Sequence, residues 1–390
     1  MQESAPEPVS TSWQPSVALL KLRADHQASV PALGAERAIH YTEFYKANRI
    51  SSPALRKARA LADHLARRSI RIHPGEVIVG SHTEHRIGAI CFAELAGVAM
   101  LEDIFRFPSR RTDPLHIDPA ARRKLLFSVI PYWLSKNLAA QAFPLLKRLA
   151  YFRDQLAGKR FIITEAGGVA HFLPNYADLI GQGTEGLRTR IAKVMNRQPA
   201  WPKENRDQLE ANLIALEALE AFADRYRKLA AELGRQDIVE VLDVVPRKPA
   251  ATLRQALQMI WLFQMIIQIE SLDQGISLGR LDQYLYPLYK KEVSDDSFDA
   301  DGIAGDLGEE AFHLVQPGSR GRREVEMEAR VLFQPLLDLS VLVGGVGGLN
   351  EERPLSALGP GWVETPRLIR CVFGRCSSVA CLRKLVQSAG

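Results

Sequence analysis

Cysteine and long apolar runs are both scarce in this sequence. Its 390 residues include four cysteines: Cys91 stands alone, and Cys371, Cys376 and Cys381 lie in the last 20 residues. This distribution is not a disulfide framework, so we expect a reducing, cytoplasmic setting. The best apolar candidate, residues 259–269, is too short to cross a bilayer and contains two glutamines, so we expect no membrane span.

Signals for export, nucleic-acid binding and metal binding are also missing. Residues 1–13 hold two glutamates and two prolines, without the basic and apolar regions of a secretory signal. The net charge is only +5, and the basic residues are scattered among acidic ones instead of forming a dense stripe. The Cys-x4-Cys-x4-Cys spacing near the C-terminus is not a common zinc pattern. We therefore expect no nucleic-acid partner and no metal.

Hydrophobic periodicity predicts a helix-rich α/β chain. Apolar residues recur at helical spacing from Leu55 to Leu65, and residues 120–158 and 203–233 are also predicted to be helical. Gly234 is placed to cap the second of these segments. Residues 1–30 are rich in Pro, Ser and Gln and are predicted to form a flexible N-terminal arm.

Short strands are predicted between the helices. Ile70 and Ile72 alternate with polar residues, and a Pro74–Gly75 turn separates them from the apolar residues 77–79, so two short strands are expected there. Residues 161–164 are a further candidate for a buried strand. A capping box, Thr252-x-x-Gln255, opens a helix over 253–269 that is apolar on nearly every side, which is typical of a helix enclosed by protein.

A dense run of polar, glycine and aromatic residues follows this helix. Its charged members include Glu270, Asp273, Arg280 and Asp282. If Arg280 is buried it requires a carboxylate partner, and Glu270 and Asp282 are the obvious choices. The alternative is an ion-pair network that only supports a loop.

Two segments carry groups that chemistry could use. Gly275-Ile-Ser277-Leu-Gly279 matches the G-x-S-x-G pattern of serine hydrolases, although the preceding segment is a predicted helix. His171 follows the strand candidate and a run of small residues that would let backbone approach a ligand closely. It is either a hydrogen-bonded core histidine or part of a pocket wall.

Several motifs, in order, resemble the glycyl radical enzymes, the family of pyruvate formate-lyase and its decarboxylase and dehydratase relatives. The run Glu270-Ser-x-x-x-x-Ile-Ser-x-Gly-Arg280-x-Asp282-Gln-Tyr-x-Tyr-Pro287 is similar to a segment of that family. Glu36-Arg37-Ala38, Ile72-His-Pro-Gly-Glu76-Val-Ile-Val-Gly80 and Gly183-Thr-Glu-Gly186 also match it. The resemblance covers about residues 35–289.

The resemblance implies radical lyase, decarboxylase, dehydratase or transferase chemistry on a small organic substrate, inside a ten-stranded β/α barrel in a cytoplasmic, anaerobic setting. In the family a C-terminal glycine carries a radical, installed by an iron–sulfur activating enzyme that uses S-adenosylmethionine. A mid-chain cysteine then receives the radical. The expected partners are therefore the substrate and the activating enzyme, with a homodimer as an assembly to test, and this chain itself binds no cofactor.

The sequence also departs from the family pattern. It contains neither the catalytic Gly-Cys-x-Glu nor the radical loop Arg-Val-x-Gly-aromatic, so we assign no catalytic residue. Where lyases and dehydratases of the family often have Gly-His-Ser, this chain has Asp273, Gln274 and Gly275. The resemblance implies a pocket wall containing His171, Gln274, Gly275 and Ser277, supported by Glu270, Arg280 and Asp282.

The C-terminal part has a different composition. Thirteen of the 27 glycines lie in residues 302–390, and no lysine occurs between Lys291 and Lys384. We interpret 31–350 as a partial pyruvate formate-lyase-like domain and 351–390 as an atypical tail, translated out of frame after a one-base slip near 348–351. Resequencing the locus tests this interpretation, because an intact frame with the same residues in independent isolates contradicts it.

The sequence therefore predicts the N-terminal part of a glycyl radical enzyme with an incomplete barrel, inactive by itself. Two alternatives stay open: a non-catalytic helical scaffold or partner subunit, and a serine hydrolase using Ser277. An adjacent frame encoding the missing motifs would favour the enzyme over the scaffold, and loss of esterase activity in Ser277→Ala would favour the hydrolase.

Overall fold

The structure is a computed structural model that describes residues 17–96, 104–111, 114–137, 171–270 and 275–294, with a few residues between 140 and 159. The chain divides into two units, Met1–Gly345 and Val346–Gly390, and every described residue lies in the first. Some of the predictions concern residues outside the described ones: the strand at 161–164, Gln274, and the C-terminal tail with its cysteines.

Helices make up most of the described chain. The helices are α1 (Val17–Gln27), α2 (Glu36–Ala47), α3 (Pro53–Arg67), α4 (Ala93–Ala96), α5 (Pro119–Lys124), α6 (Ile130–Trp133), α7 (Tyr176–Arg197), α8 (Lys203–Glu232), α9 (Gln236–Leu242), α10 (Leu253–Glu270) and α11 (Leu281–Ser294). The strands are β1 (Ala32–Gly34), β2 (Gly88–Ile90), β3 (His171–Phe172) and β4 (Gly275–Ile276). A 3-10 turn covers Phe107–Ser109, and a π-helical stretch, Leu125–Val129, joins α5 to α6. The helix-rich character predicted from the sequence is confirmed.

The strands form two parallel pairs, β1 with β2 and β3 with β4. Parallel strands require a crossover connection, and here helices provide it. The chain passes through α2 and α3 between β1 and β2, and through α7 to α10 between β3 and β4. Among the described residues, the sheet structure consists of these two pairs and an isolated parallel bridge between Ala32 and His116, and the ten-stranded barrel stays a prediction.

The main hydrophobic core lies where α3, α8 and α10 meet. Leu61, Phe222 and Leu262 are all nearly fully buried in one cluster. The apolar stripe on α3 that spacing predicts is the face that packs there, with Leu61 and Leu65 inside. Gly234 ends α8 with a φ of 70°, the left-handed conformation expected of a glycine cap.

Helix α10 is enclosed as predicted, because none of its residues is exposed. Its capping box is also confirmed. The Gln255 amide nitrogen donates to Thr252 Oγ1 at 3.2 Å, and the Gln255 side chain accepts from the Ala251 amide nitrogen at 2.8 Å. This enclosed helix carries the chain to the start of the polar run at Glu270.

The strands predicted at 70–72 and 77–79 are wrong, although the Pro74–Gly75 turn between them is present. For the second of these segments, the reason lies in Gln258 of α10. Its side chain accepts from the Val79 amide at 2.8 Å and donates to the Val79 carbonyl at 2.9 Å. Because a buried side chain satisfies this backbone, no partner strand is needed.

The predicted flexible N-terminal arm, residues 1–30, is partly helical in the structure. Residues 17–27 form helix α1, so helical structure begins well before residue 30. Residues 1–16 lie outside the described residues.

Gly183 shows the structural role of the Gly-Thr-Glu-Gly motif at residues 183–186. Its φ of 64° breaks the helical geometry inside α7. The Thr184 amide then donates to the Pro246 carbonyl at 2.9 Å, and the Thr184 hydroxyl donates to the buried Glu220 carboxylate at 2.6 Å. The Gly-Thr pair therefore docks the start of α7 onto the segment before α10.

Candidate functional site

The structure brings together two segments that are distant in sequence and that both hold predicted pocket residues. In the parallel pair of β3 and β4, His171 is opposite Gly275 and Phe172 is opposite Ile276. Gln274 directly precedes Gly275 in the sequence. Two of the four predicted pocket residues, His171 and Gly275, are therefore partners in one backbone ladder, and a third, Ser277, directly follows that ladder.

Gln264 fastens this ladder to helix α10. Its side-chain nitrogen donates to the Ile276 carbonyl at 3.3 Å, and its side-chain oxygen accepts from the Tyr176 hydroxyl. Tyr176 begins α7, directly after the β3 strand and its Pro turn. Burial, with a smaller contribution from Tyr284, raises the pKa of Tyr176, so the hydroxyl stays protonated and acts as a donor.

The turn after β4 uses the serine of the G-x-S-x-G pattern. Ser277 is exposed, and its hydroxyl accepts a hydrogen bond from the Gly279 amide at 3.1 Å. Gly279 has a φ of 68°, and a Cβ there would lie 2.7 Å from Leu173 Cδ1. The two segments thus also pack closely through Leu173, and the serine hydroxyl serves the turn.

Arg37 holds the C-terminal end of α10, immediately before the polar run. It is 2% exposed and donates to the main-chain carbonyls of Ile269 and Glu270. Cations near a helix C-terminus bind the free carbonyls and oppose the helix dipole. Its guanidinium also forms a two-bond pair with the Glu94 carboxylate.

Aromatic rings on both sides complete the Arg37 site. The guanidinium carbon lies 4.0 Å from the centroid of Tyr41 and 4.1 Å from that of Phe92. Burial alone would lower the pKa of Arg37, but the Glu94 carboxylate outweighs it and raises the pKa. Arg37 is therefore a permanent cation held in a fixed geometry.

The structure describes the surroundings of two of the three predicted supporting residues, Glu270 and Arg280. The Glu270 carboxylate pairs with Lys57 of α3 at 2.6 Å. Arg280 is exposed, so the condition under which it would require a carboxylate partner, its burial, is not met. The carboxylate of Asp282 and the imidazole of His171 lie outside the described residues.

Cys91 lies beside this network and is buried. Burial raises the pKa of its thiol to about 12, with the Glu94 charge adding to the effect. A thiol with so high a pKa is not ionised at neutral pH and is a poor nucleophile. Among the described residues no cluster of His, Cys, Asp or Glu is arranged to hold a metal ion, and none of the helices there is long and apolar enough to cross a bilayer.

Residues 12–306 match the model of the family described as pyruvate formate lyase-like. The chain is 31% identical to a probable dehydratase, YbiW, of Escherichia coli over 290 residues, which is 67% of this chain and 34% of that protein. It is 28% identical to the isethionate sulfite-lyase of Nitratidesulfovibrio vulgaris, covering 68% of this chain and 35% of the lyase. The chain thus spans about a third of the length of these curated relatives.

Solved structures agree with the sequence relatives. A glycyl radical enzyme from Archaeoglobus fulgidus matches 74% of this chain and 39% of its own, with a TM-score of 0.67 and 29% identity. The protein of a study of 1,2-propanediol dehydration in Roseburia inulinivorans matches with the same TM-score and 28% identity.

Proposed function

We propose that the described part of the chain forms one wall of a chamber for radical chemistry on a small organic substrate. The chain belongs to the pyruvate formate lyase-like family of glycyl radical enzymes, and this membership supports the proposal. The resemblance predicted from the ordered motifs is confirmed at the level of the family. The observation that carries the proposal is the pairing of His171 with Gly275.

The wall consists of the β3–β4 ladder and the helix behind it. None of the residues of helix α10 is exposed, and Gln264 fixes the ladder to this helix. Such a wall keeps water away from a reactive intermediate, which radical chemistry requires. We place β3 and β4 as neighbouring strands of a ten-stranded β/α barrel, a placement that their parallel pairing through helices supports.

The reaction we propose is a dehydration or a bond-cleaving lyase reaction. Relatives include a trans-4-hydroxy-L-proline dehydratase, a (2S)-3-sulfopropanediol dehydratase and isethionate sulfite-lyases. The chemistry would come from a glycyl radical, installed by an activating enzyme, and a cysteine that receives it. The described residues of this chain would position the substrate and exclude water, in a cytoplasmic and anaerobic setting.

His171 and Gln274 are the residues that we propose to contact substrate, with Gly275 and Ser277 beside them. Gly275 has no side chain, so the backbone of β4 leaves room next to His171. A wall with Asp273, Gln274 and Gly275 has lost the imidazole and hydroxyl that some relatives carry before the Ile-Ser pair. We therefore propose a substrate that is different from, or bulkier than, a small polyol or a choline-like molecule.

A chimera with a full-length relative tests the proposal. Residues 31–294 replace the aligned N-terminal third of the isethionate sulfite-lyase, and the purified chimera is treated anaerobically with the lyase's activating enzyme. We expect the electron paramagnetic resonance doublet of a glycyl radical in the chimera and none in residues 1–390 alone, whose sequence lacks the radical loop.

Variants of the chimera separate a pocket role from a structural one. With a panel of hydroxylated acids, His171→Ala and Gln274→Ala should lower turnover of the accepted substrate about tenfold or more while the radical signal stays. Glu204→Ala, at an exposed position of α8, should change neither. A folded chimera without a radical would favour the non-catalytic scaffold instead.

A further inference from the structure

Helix α2 contacts the C-terminal end of α3 through a line of polar side chains. Glu36, His40 and Glu43 are spaced so that they share one face of α2. Glu36 accepts from the amide and the hydroxyl of Ser69, at 2.8 and 2.5 Å. Glu43 accepts from the Arg67 guanidinium at 2.9 Å. These contacts, with His40 between them, form what we call the α2–α3 seam.

The partner of His40 in the seam is a second histidine, His64 of α3. The two Nδ1 atoms lie 3.0 Å apart, and the ring centroids are 5.2 Å apart. The His64 ring also packs edge-on against Tyr41, with 6.0 Å between the centroids. Since the acceptor nitrogen of a hydrogen bond must be unprotonated, the two Nδ1 atoms share one proton. The bond therefore tolerates one charged ring, and charging the second ring breaks it.

His64 is the ring that its surroundings keep neutral. It is 2% exposed. Burial lowers its pKa well below the ordinary value, and the positive charges that lower it further are those of Arg68, His40, Arg37 and Arg67. A proton on His64 is therefore unfavourable as long as the seam is closed.

His40 connects the buried ring to solvent. It is only half-buried, so protons reach the pair through it. Burial lowers its pKa and Arg67 adds to this, while three carboxylates act in the opposite direction: Glu36, Glu43 and Asp63. The lowering prevails, so both rings bind protons less readily in the closed seam than in open solution.

The groups around the pair do not provide His64 with a counter-ion. Arg67 engages the carboxylates of Glu43 and Asp63, at 2.9 and 2.5 Å. From α8, the Arg225 guanidinium donates to two main-chain carbonyls at the end of α3 and adds a further cation. A second proton on the pair would therefore enter a site that is already rich in positive charge.

We propose that the His40–His64 pair is a pH-sensitive latch, which holds the α2–α3 seam closed while His64 is neutral and opens it when both rings are charged. In an open seam each ring has its ordinary pKa of about 6.5, and in the closed seam a lower one. The pair therefore favours the closed seam above about pH 6.5, and this contribution is lost as the pH falls. Helix α2 also carries Arg37, which binds the carbonyls at the end of α10, so opening the seam loosens that end too.

Hydrogen–deuterium exchange of the full chain, corrected for intrinsic exchange rates, tests the latch. Between about pH 7.5 and about pH 5.5, His64 alone should make opening about tenfold more frequent, so the protection of the α2 amides should fall about tenfold. Helix α7 contains no histidine, and its protection should not change. Equal protection of α2 at both pH values, or an equal loss in α2 and α7, would overturn the proposal.

Variants separate the pair from the other histidines. His64→Asn offers a side-chain amide in place of Nδ1 and cannot be charged, so most of the acid-induced loss in α2 should disappear. His40→Gln carries the same expectation from the half-buried side of the pair, should His64→Asn not fold. His73→Asn is the matched control, because burial also lowers the pKa of His73 but this residue lies outside the seam, and the loss should persist. An unchanged loss in both seam variants would refute the latch.

Discussion

Replacing Arg37 with methionine is expected to lower the free energy of unfolding by about 3 to 5 kcal/mol, as for other broken buried ion pairs. Three interactions are lost together: the two-bond pair with Glu94, the caps on the carbonyls of Ile269 and Glu270, and the stacking between Tyr41 and Phe92. The remaining Glu94 carboxylate is left largely buried without its cation. Equilibrium unfolding in urea measures the change.

Arg67→Met is the matched control for this variant. Arg67 pairs with two carboxylates, Glu43 and Asp63, but it is 40% exposed. Its removal should cost no more than about 1 kcal/mol, because solvent screens exposed pairs. Similar losses in the Arg37 and Arg67 variants would contradict the role given to Arg37 as the anchor of α10.

Gly183→Ala is expected to cost about 3 kcal/mol or more. Gly183 has a φ of 64° and a ψ of 177°, a region that essentially only glycine occupies, and a residue with a Cβ there costs about 1 to 3 kcal/mol. The added Cβ would also lie 2.2 Å from the Arg247 carbonyl oxygen, and since backbone cannot move aside cheaply, overpacking adds about 1 to 3 kcal/mol. The loss should appear in the same urea experiment.

A glycine two residues earlier in α7 gives the opposite expectation. Gly181 is helical, and a Cβ there would meet nothing within 4 Å. Gly181→Ala should therefore stabilise the protein by about 0.5 to 1 kcal/mol, since alanine is the better helix former. If both variants had the same effect, the docking of α7 through Gly183 and Thr184 would be disproved.

Local rules predicted much of the helical framework. The capping box at Thr252, the apolar face of α3 and the cap at Gly234 depend on residues close in sequence, and each lies where the pattern indicates. Such features follow from helix geometry alone.

Long-range partners could not be predicted in the same way. Nothing in the sequence indicates that Gln258 satisfies the backbone of Val79. The apolar residues 77–79 therefore predict a strand that the structure does not contain. The exposure of Arg280 and the pairing of Glu270 with Lys57 likewise depend on how distant elements pack. Arg37 lies within a predicted family motif, but its contacts with α10 do not follow from its neighbours in the sequence.

The candidate site combines features that the local sequence predicts with a long-range contact that it does not predict. The two segments that hold His171 and Gly275 were each singled out from composition and motif. Their register was not predictable, because it is set by helices α7 to α10 and by the Gln264 bonds to Tyr176 and Ile276. A parallel pair formed across such a connection depends on the packing of every helix in it.

Thiol cross-linking of His171→Cys with Gly275→Cys is the most direct test that these two segments form one wall. In a background with Cys371, Cys376 and Cys381 changed to serine, dibromobimane becomes fluorescent only when both of its arms react. The register of β3 and β4 predicts a fluorescent intramolecular product in the double variant and none in either single variant. Two thiols that each react with a monofunctional maleimide in the folded protein, but do not cross-link, would contradict the account.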